Sequence, residues 1–203
     1  MSASGTQTPA AAASTGAPAR HTLAVLVGST REGRFAPVVG GWFARQAAAR
    51  AHLDVDVIDL DTVRPYELRY GTPEFEEFAG RIAAADAFVV VTPEYNHSFP
   101  APLKHAIDLL NPQWHAKPVG FVSYGGISGG LRAVEQLRLV FAELHAMTVR
   151  ETVSFPLAWT LFDKNGEPHD PAPATKAADT LLDQLTWWAL TLREGRAARP
   201  YGA

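Results

Sequence analysis

Three polar clusters, each directly after an apolar run, hold the residues that could do chemistry. The first is Gly28-Ser29-Thr30-Arg31-Glu32-Gly33-Arg34, followed by Phe35. A phosphate monoester is met by hydroxyls, arginines and the backbone N–H groups at the start of a helix. Ser29 and Thr30 can donate from the turn, and Arg31 and Arg34 supply charge. No Gly-Lys-Ser/Thr follows and no Gly-x-Gly-x-x-Gly is present, so this is neither a P-loop nor the dinucleotide fingerprint. On position alone, a solvated turn with a helix cap accounts for it equally well.

The second cluster is Pro93-Glu94-Tyr95-Asn96-His97-Ser98-Phe99-Pro100. Its prolines restrict the backbone and suit a preformed surface. Tyr95 and Phe99 offer aromatic faces and Asn96 an amide. The alternative is a plain strand-to-helix connection capped by Tyr95 and Phe99. The third cluster is Ser123-Tyr124-Gly125-Gly126-Ile127-Ser128-Gly129-Gly130. Glycines before a helix let a ligand approach the backbone and expose N–H donors; a Gly-rich linker is the other reading.

The elements that must position these clusters are legible as periodicity. Thr22-Leu23-Ala24-Val25-Leu26-Val27 and Ala87-Phe88-Val89-Val90-Val91 read as buried parallel strands, and Lys117 to Ser123 as another. Leu53 to Leu60 alternates acidic and apolar residues, as an edge strand does. Met147 to Val153 is a fifth strand. Helical patterns follow the strands: through Ala51, Pro73–Ala85, Ala101–Leu110, Leu131–His145 and Ala174–Leu192. Asp61 to Thr72 and Ser154 to Pro173 read as irregular. Five strands alternating with helices predict an α/β three-layer sandwich with a parallel sheet. An edge position for the second strand favours the flavodoxin-like order 2-1-3-4-5. In that order the clusters, at the carboxyl ends of strands one, three and four, lie side by side where such sheets bind ligands. Together they describe a ligand with a phosphate at one end and a planar polar ring at the other, which flavin mononucleotide (FMN) matches.

Composition sets the bounds. The 203 residues are 47% hydrophobic, enough for one domain with a large core. A formal charge of -3 leaves no basic footprint for nucleic acid. Zero cysteines exclude disulfides, thiolate catalysis and Cys-ligated metals. No apolar run is long enough for a membrane span. Residues 1–20 lack the basic start and apolar core of a secretory signal. They are read as a disordered tail, residues 21–193 as the domain, residues 194–203 as a polar tail, and the protein as cytoplasmic.

Gly28-Ser29-Thr30-Arg31, Pro93-Glu94-Tyr95-Asn96 and Ser123-Tyr124-Gly125-Gly126, in this order and spacing, resemble the NADPH-dependent FMN reductase family of flavodoxin-like proteins. Ser98-Phe99-Pro100 and Leu103-Lys104-His105-Ala106-Ile107-Asp108 extend the middle motif, and the resemblance runs from about Leu23 to Val153. It implies that Ser29, Arg31 and the turn up to Phe35 hold the FMN phosphate. It implies that Pro93, Glu94, Tyr95 and Asn96 line the isoalloxazine, largely through backbone groups. Ser123, Tyr124, Gly125 and Gly126 would reach its pyrimidine edge. Thr30 joins the set from the turn. Arg34 would replace a second phosphate contact, because a small hydroxyl residue often stands at Arg34-Phe35 in the family. Many members have Gly where this chain has His97. The implied activity passes a hydride from NADPH or NADH through FMN to a small acceptor by a ping-pong cycle, with no obligatory protein acid or base, in a homodimer or homotetramer. A quinone or azo-dye reductase, a flavodoxin-like electron carrier and a phosphate-binding regulator are the alternatives on this scaffold.

The remaining side chains have simpler readings. The histidines show no zinc-ligand spacing. Asp54, Asp56, Asp59 and Asp61 read as the solvated face of the edge strand. Lys104 and Asp108 are one helical turn apart and predict a surface pair. Trp159 and Phe162 could pack in the core, at a subunit contact or towards a neighbour's flavin. Trp187-Trp188 is expected to pack the last helix on the sheet.

Overall fold

Five parallel strands form the centre of the molecule: β1 (His21–Val27), β2 (Leu53–Asp59), β3 (Ala87–Pro93), β4 (Pro118–Gly125) and β5 (Met147–Pro156), in the order β2-β1-β3-β4-β5. The computed structural model describes residues 17–202, so the expected tail falls outside the described residues through position 16. The flavodoxin-like order expected from the acidic alternation of the second strand is the order observed. β3 is buried throughout, whereas β2 is fully buried only at Leu53 and Ile58, as a central and an edge strand should differ.

Side chains alternate across the sheet. Ala87, Val89 and Val91 of β3 face a core with Trp42 and Phe43 of α1 (Ala36–Ala48) and Leu181 and Leu185 of α6 (Pro171–Ala198). Phe88 and Val90 face a second core with Phe78 and Ile82 of α3 (Pro73–Ala84), Leu103 and Ile107 of α4 (Ala101–Asp108) and Leu137 and Phe141 of α5 (Leu131–Glu143). Each large side chain buried in these layers contributes about 1.5–3 kcal/mol. α3 starts where Thr72 accepts a hydrogen bond from the Phe75 N–H, with Pro73 next and Glu74 and Glu76 in its first turn. At its other end, buried Lys117 donates through Nζ to the Ile82 and Ala83 carbonyls at 3.0 and 2.7 Å. Burial, with Arg196 nearby, pushes the Lys117 ammonium down to about 8.

Several expected boundaries move. The segment after β2 is not a plain loop: it holds α2 (Leu60–Val63) and a 3-10 turn at Pro65–Glu67. The last helix starts at Pro171 and runs to Ala198, past the expected end at Leu192. Its extra turn is held because Arg193 and Arg196 reach Asp86, and Arg196 also donates to the Ala116 carbonyl. Beyond it, the Tyr201 hydroxyl lies 3.0 Å from His145 Nδ1. Trp188 packs on the core, whereas Trp187 is exposed, because adjacent residues of a helix face different directions. Lys104 and Asp108 form the expected surface pair. No helix among the described residues is long and apolar enough to cross a membrane.

Candidate functional site

The strand register brings the three clusters to one edge. Val27 pairs with Val91, and Pro93 with Tyr124. The segments leaving β1, β3 and β4 therefore surround one cleft of about 470 Å³. Arg31 to Phe35 form one wall, Pro93, Glu94 and Tyr95 the next, and Tyr124, Gly125 and Gly126 the third, with Trp159 at the side.

The first segment is distinguished by its backbone donors. Ser29 is fully buried. The backbone N–H groups of Ser29 to Gly33 find no acceptor among the described residues, whereas Gly28 and Arg34 on either side donate to Val91 and Arg31 carbonyls. α1 begins immediately after, with no acidic residue in its first turn, so its positive end is unopposed. The Arg31 guanidinium lies 5.9 Å from the Tyr95 ring centroid, and its residue is exposed. Arg34 is engaged elsewhere. Its guanidinium binds both carboxylate oxygens of Asp59 at 2.6 and 2.9 Å, Asp61 at 3.2 Å and the Ser29 carbonyl at 2.9 Å. The Asp59 hydrogen bonds favour its charged form over the opposing effect of burial, so its pKa rises. Thr30 lines a neighbouring hollow with Asp61, Arg64 and Tyr66 rather than the cleft itself.

The second segment turns on two left-handed residues. Tyr95 and Ser98 exchange backbone hydrogen bonds at 2.8 and 3.0 Å, and Asn96 and His97 between them have φ of 51° and 66°. Two positive φ values in a two-residue turn are the type I′ geometry, which Asn-Gly adopts most readily. His97 bears the strain that Gly would lack, and the turn is held from outside. Gln136 donates to the His97 carbonyl at 2.7 Å, and an Arg132 nitrogen lies 2.5 Å from His97 Nε2. Asn96 is exposed at the tip of this turn.

Glu94 ties the second segment to the third. Its side chain is only 5% exposed. It accepts from the Ser128 hydroxyl at 2.6 Å, from the Arg132 backbone N–H in the first turn of α5 at 3.2 Å and from Arg132 Nε at 2.5 Å. Burial opposes its charge, but these hydrogen bonds outweigh burial and hold the carboxyl below the usual range. In the third segment the buried Ser123 hydroxyl donates to the Gly129 carbonyl at 2.8 Å, a supporting contact behind the cleft. A Cβ on Gly130, at φ 88°, would lie 2.6 Å from Ser123 Cβ, and one on Gly129 would lie 2.3 Å from Ser154 Oγ. A Cβ on Gly126 would meet nothing within 4 Å.

Of the residues expected at the site, Arg31, Arg34, Phe35, Pro93, Glu94, Tyr95, Tyr124, Gly125 and Gly126 line the cleft; Ser29 and Ser123 support it from behind. Two contributors, Asp59 and Arg132, were not anticipated. Asp59 belongs to an alternation that reads as solvated, and only the fold reveals its partner Arg34. Arg132 lies on a helix whose apolar spacing alone drew notice. Trp159 is 60% exposed beside the cleft, while Phe162 joins the core against Phe35 and Phe155.

The profile of the NADPH-dependent FMN reductase family matches residues 8–160. The chain belongs to this family. An NAD(P)H-dependent FMN reductase of Schizosaccharomyces pombe is 34% identical over 120 residues, 53% of this chain and 60% of that protein. A quinone reductase of Pseudomonas putida is 32% identical over 160 residues, 74% of this chain and 86% of that protein. An oxidoreductase structure from Corynebacterium diphtheriae superposes with a TM-score of 0.67 at 21% identity, covering 85% of this chain and 98% of that one. The last comparison speaks to the fold alone.

The chain's own residues fit the family's flavin. The Tyr124 hydroxyl is buried beside Ser29 without a well-formed hydrogen bond. Burial, and then the neighbouring Tyr95, push its pKa up, so it stays a neutral donor in search of an acceptor. A string of free N–H groups, an orphaned hydroxyl and an open glycine face are what a phosphorylated, planar, polar ligand requires.

Proposed function

We propose that the protein is an NAD(P)H-dependent flavin oxidoreductase that binds FMN in this cleft and reduces a small acceptor such as a flavin or quinone. The observation that carries the reading is the run of N–H groups from Ser29 to Gly33 that find no acceptor among the described residues, beside a cleft that Arg31 to Gly33 and Tyr124 line together. When bound, FMN would take a hydride from NADPH or NADH in one half-reaction and release electrons to the acceptor in the next, a ping-pong cycle. The first segment would hold the phosphate through its N–H groups and Arg31. Pro93 to Tyr95 and Gly125 to Gly126 would hold the ring, with Glu94 and Arg132 keeping those two segments in register. N–H groups near Asn96 and Gly125-Gly126 would favour negative charge on the reduced ring, as an oxyanion hole does. No side chain is required as a catalytic acid or base.

The likeness to a quinone reductase along 86% of that protein's length supports a quinone as one acceptor. A homodimer or homotetramer belongs to the same reading. Ile127, Leu157 and Trp159, near the Gly-rich segment and the cleft, expose 94%, 45% and 60% of their surface, which a second copy would cover. Cytoplasmic localisation is part of this proposal.

The test is a visible absorption spectrum of the purified protein with added FMN, followed by anaerobic NADPH. A flavin band that bleaches within seconds is expected. A band that persists would make the protein a carrier fed by another reductase. No perturbation of added FMN would overturn the cleft assignment.

A further inference from the structure

We infer that Asp59, on the edge strand and outside all three loops, is the positioning residue that shapes the phosphate cradle, and that it acts through Arg34. The inference rests on the cleft being an FMN site. Asp59 is the last residue of β2 and pairs in register with Val27, one residue before Gly28. Its Oδ1 also accepts the Asp61 N–H at 3.0 Å, which caps α2 and fixes the carboxylate. The carboxylate then grips Arg34 in a two-pronged pair. Only 14% of the Arg34 side chain is exposed, so this geometry is held with little competition from water.

The clamped guanidinium has one further role: Nη1 donates to the Ser29 carbonyl at 2.9 Å. The Ser29 carbonyl and the Thr30 N–H belong to one planar trans peptide and point in opposite directions. Anchoring the carbonyl on Arg34 therefore fixes the Thr30 N–H on the other side of the turn, within the run of unpartnered donors. Arg34 meets two carboxylates, those of Asp59 and Asp61, so it brings no surplus positive charge to a phosphate. The charge is left to Arg31 and the N–H groups. Arg34 is thus a strut of the cradle rather than a direct phosphate ligand, which differs from the role implied by its place in the motif.

The test compares dissociation constants for FMN and for riboflavin, which lacks the phosphate, by flavin fluorescence titration of the full chain. The isosteric Asp59→Asn should weaken FMN roughly tenfold or more, and riboflavin less than about twofold. Arg34→Lys, which keeps the charge but not the fork, should behave alike. In an Arg34→Met background, Asp59→Asn should add nothing, because the effect passes through Arg34. Asp54→Asn, on the same strand as Asp59, breaks only an exposed pair with Arg20 and should leave both constants unchanged. Equal weakening of both ligands, unchanged FMN affinity, or tighter FMN binding through a freed Arg34 would each overturn the inference. If Asp59→Asn does not fold, the Arg34→Lys ratio decides alone. A wild-type protein that binds FMN no better than riboflavin would overturn the FMN reading itself, a result distinct from a wild-type preference that survives the substitutions.

Discussion

The hydroxyls of Ser29 and Tyr95, 66 positions apart in the chain, lie 2.9 Å from each other. This bond joins the segment after β1 to the segment after β3, so the two walls of the cleft are not independent. Tyr95→Phe and Ser29→Ala should each raise the FMN dissociation constant roughly threefold to tenfold, the worth of about one hydrogen bond. The double variant should lose little more than either alone, since both remove the same bond. Fluorescence titration of the three proteins checks this, and full additivity would mean that the hydroxyls act separately.

Tyr124 carries a buried hydroxyl with no formed hydrogen bond. A buried polar group without a partner costs about 1–3 kcal/mol. Tyr124→Phe should therefore raise the stability of the flavin-free protein by about 1–2 kcal/mol and reduce the additional stabilisation conferred by FMN. Thermal melts with and without saturating FMN measure both effects. A variant that is less stable without FMN would show that the hydroxyl is already satisfied.

Glu94 holds α5 and the Gly-rich segment through Ser128 and Arg132. Glu94→Gln should destabilise the protein at pH 7 by about 1–3 kcal/mol. The folded carboxyl titrates below its unfolded value of about 4.3. Its stabilisation is fully present above that value and is lost as pH falls through the lower folded one. In denaturant melts the difference between variant and wild type should shrink as pH falls below the unfolded value of about 4.3; a constant difference would argue against a charged Glu94.

Lys117 has the opposite sign. Burial brings the folded amine to about 8, against about 10.4 in the unfolded chain. Between these values the unfolded state binds more protons, so stability from this group rises with pH. Below pH 8 the buried ammonium is a fixed burden. Relative to Lys117→Met, the wild type should gain up to about 3 kcal/mol between pH 8 and 10.4. Chemical denaturation across that range checks it, and a flat difference would show that Lys117 is solvated.

The strands were legible because a strand covered on both faces is a continuous apolar run, as Ala87 to Val91 is. The cleft was legible because ligand-binding polar residues cluster after such runs. What escaped depended on contacts between distant elements. An acidic residue on an alternating edge strand looks the same whether it joins an exposed surface pair, as Asp54 does with Arg20, or grips a sheltered arginine of another loop, as Asp59 does. Asn96-His97 concealed its turn because His, unlike Gly, does not advertise positive φ. Arg193 to Ala198 looked like a tail because its helical support comes from Asp86, far away in the chain.

The glycines of the third segment divide the protein's capacity for change. Gly129 and Gly130 are wedged against Ser154 and Ser123, and Gly126 opens onto free space. Substrate range can therefore be reshaped from Gly126, where an added Cβ meets nothing within 4 Å, and from the exposed Trp159 beside the cleft. Variation at Gly129 or Gly130 would be filtered out as misfolded chains before any acceptor was met. A directed-evolution library confined to positions 126 and 159 should stay largely folded while exploring acceptors of different width.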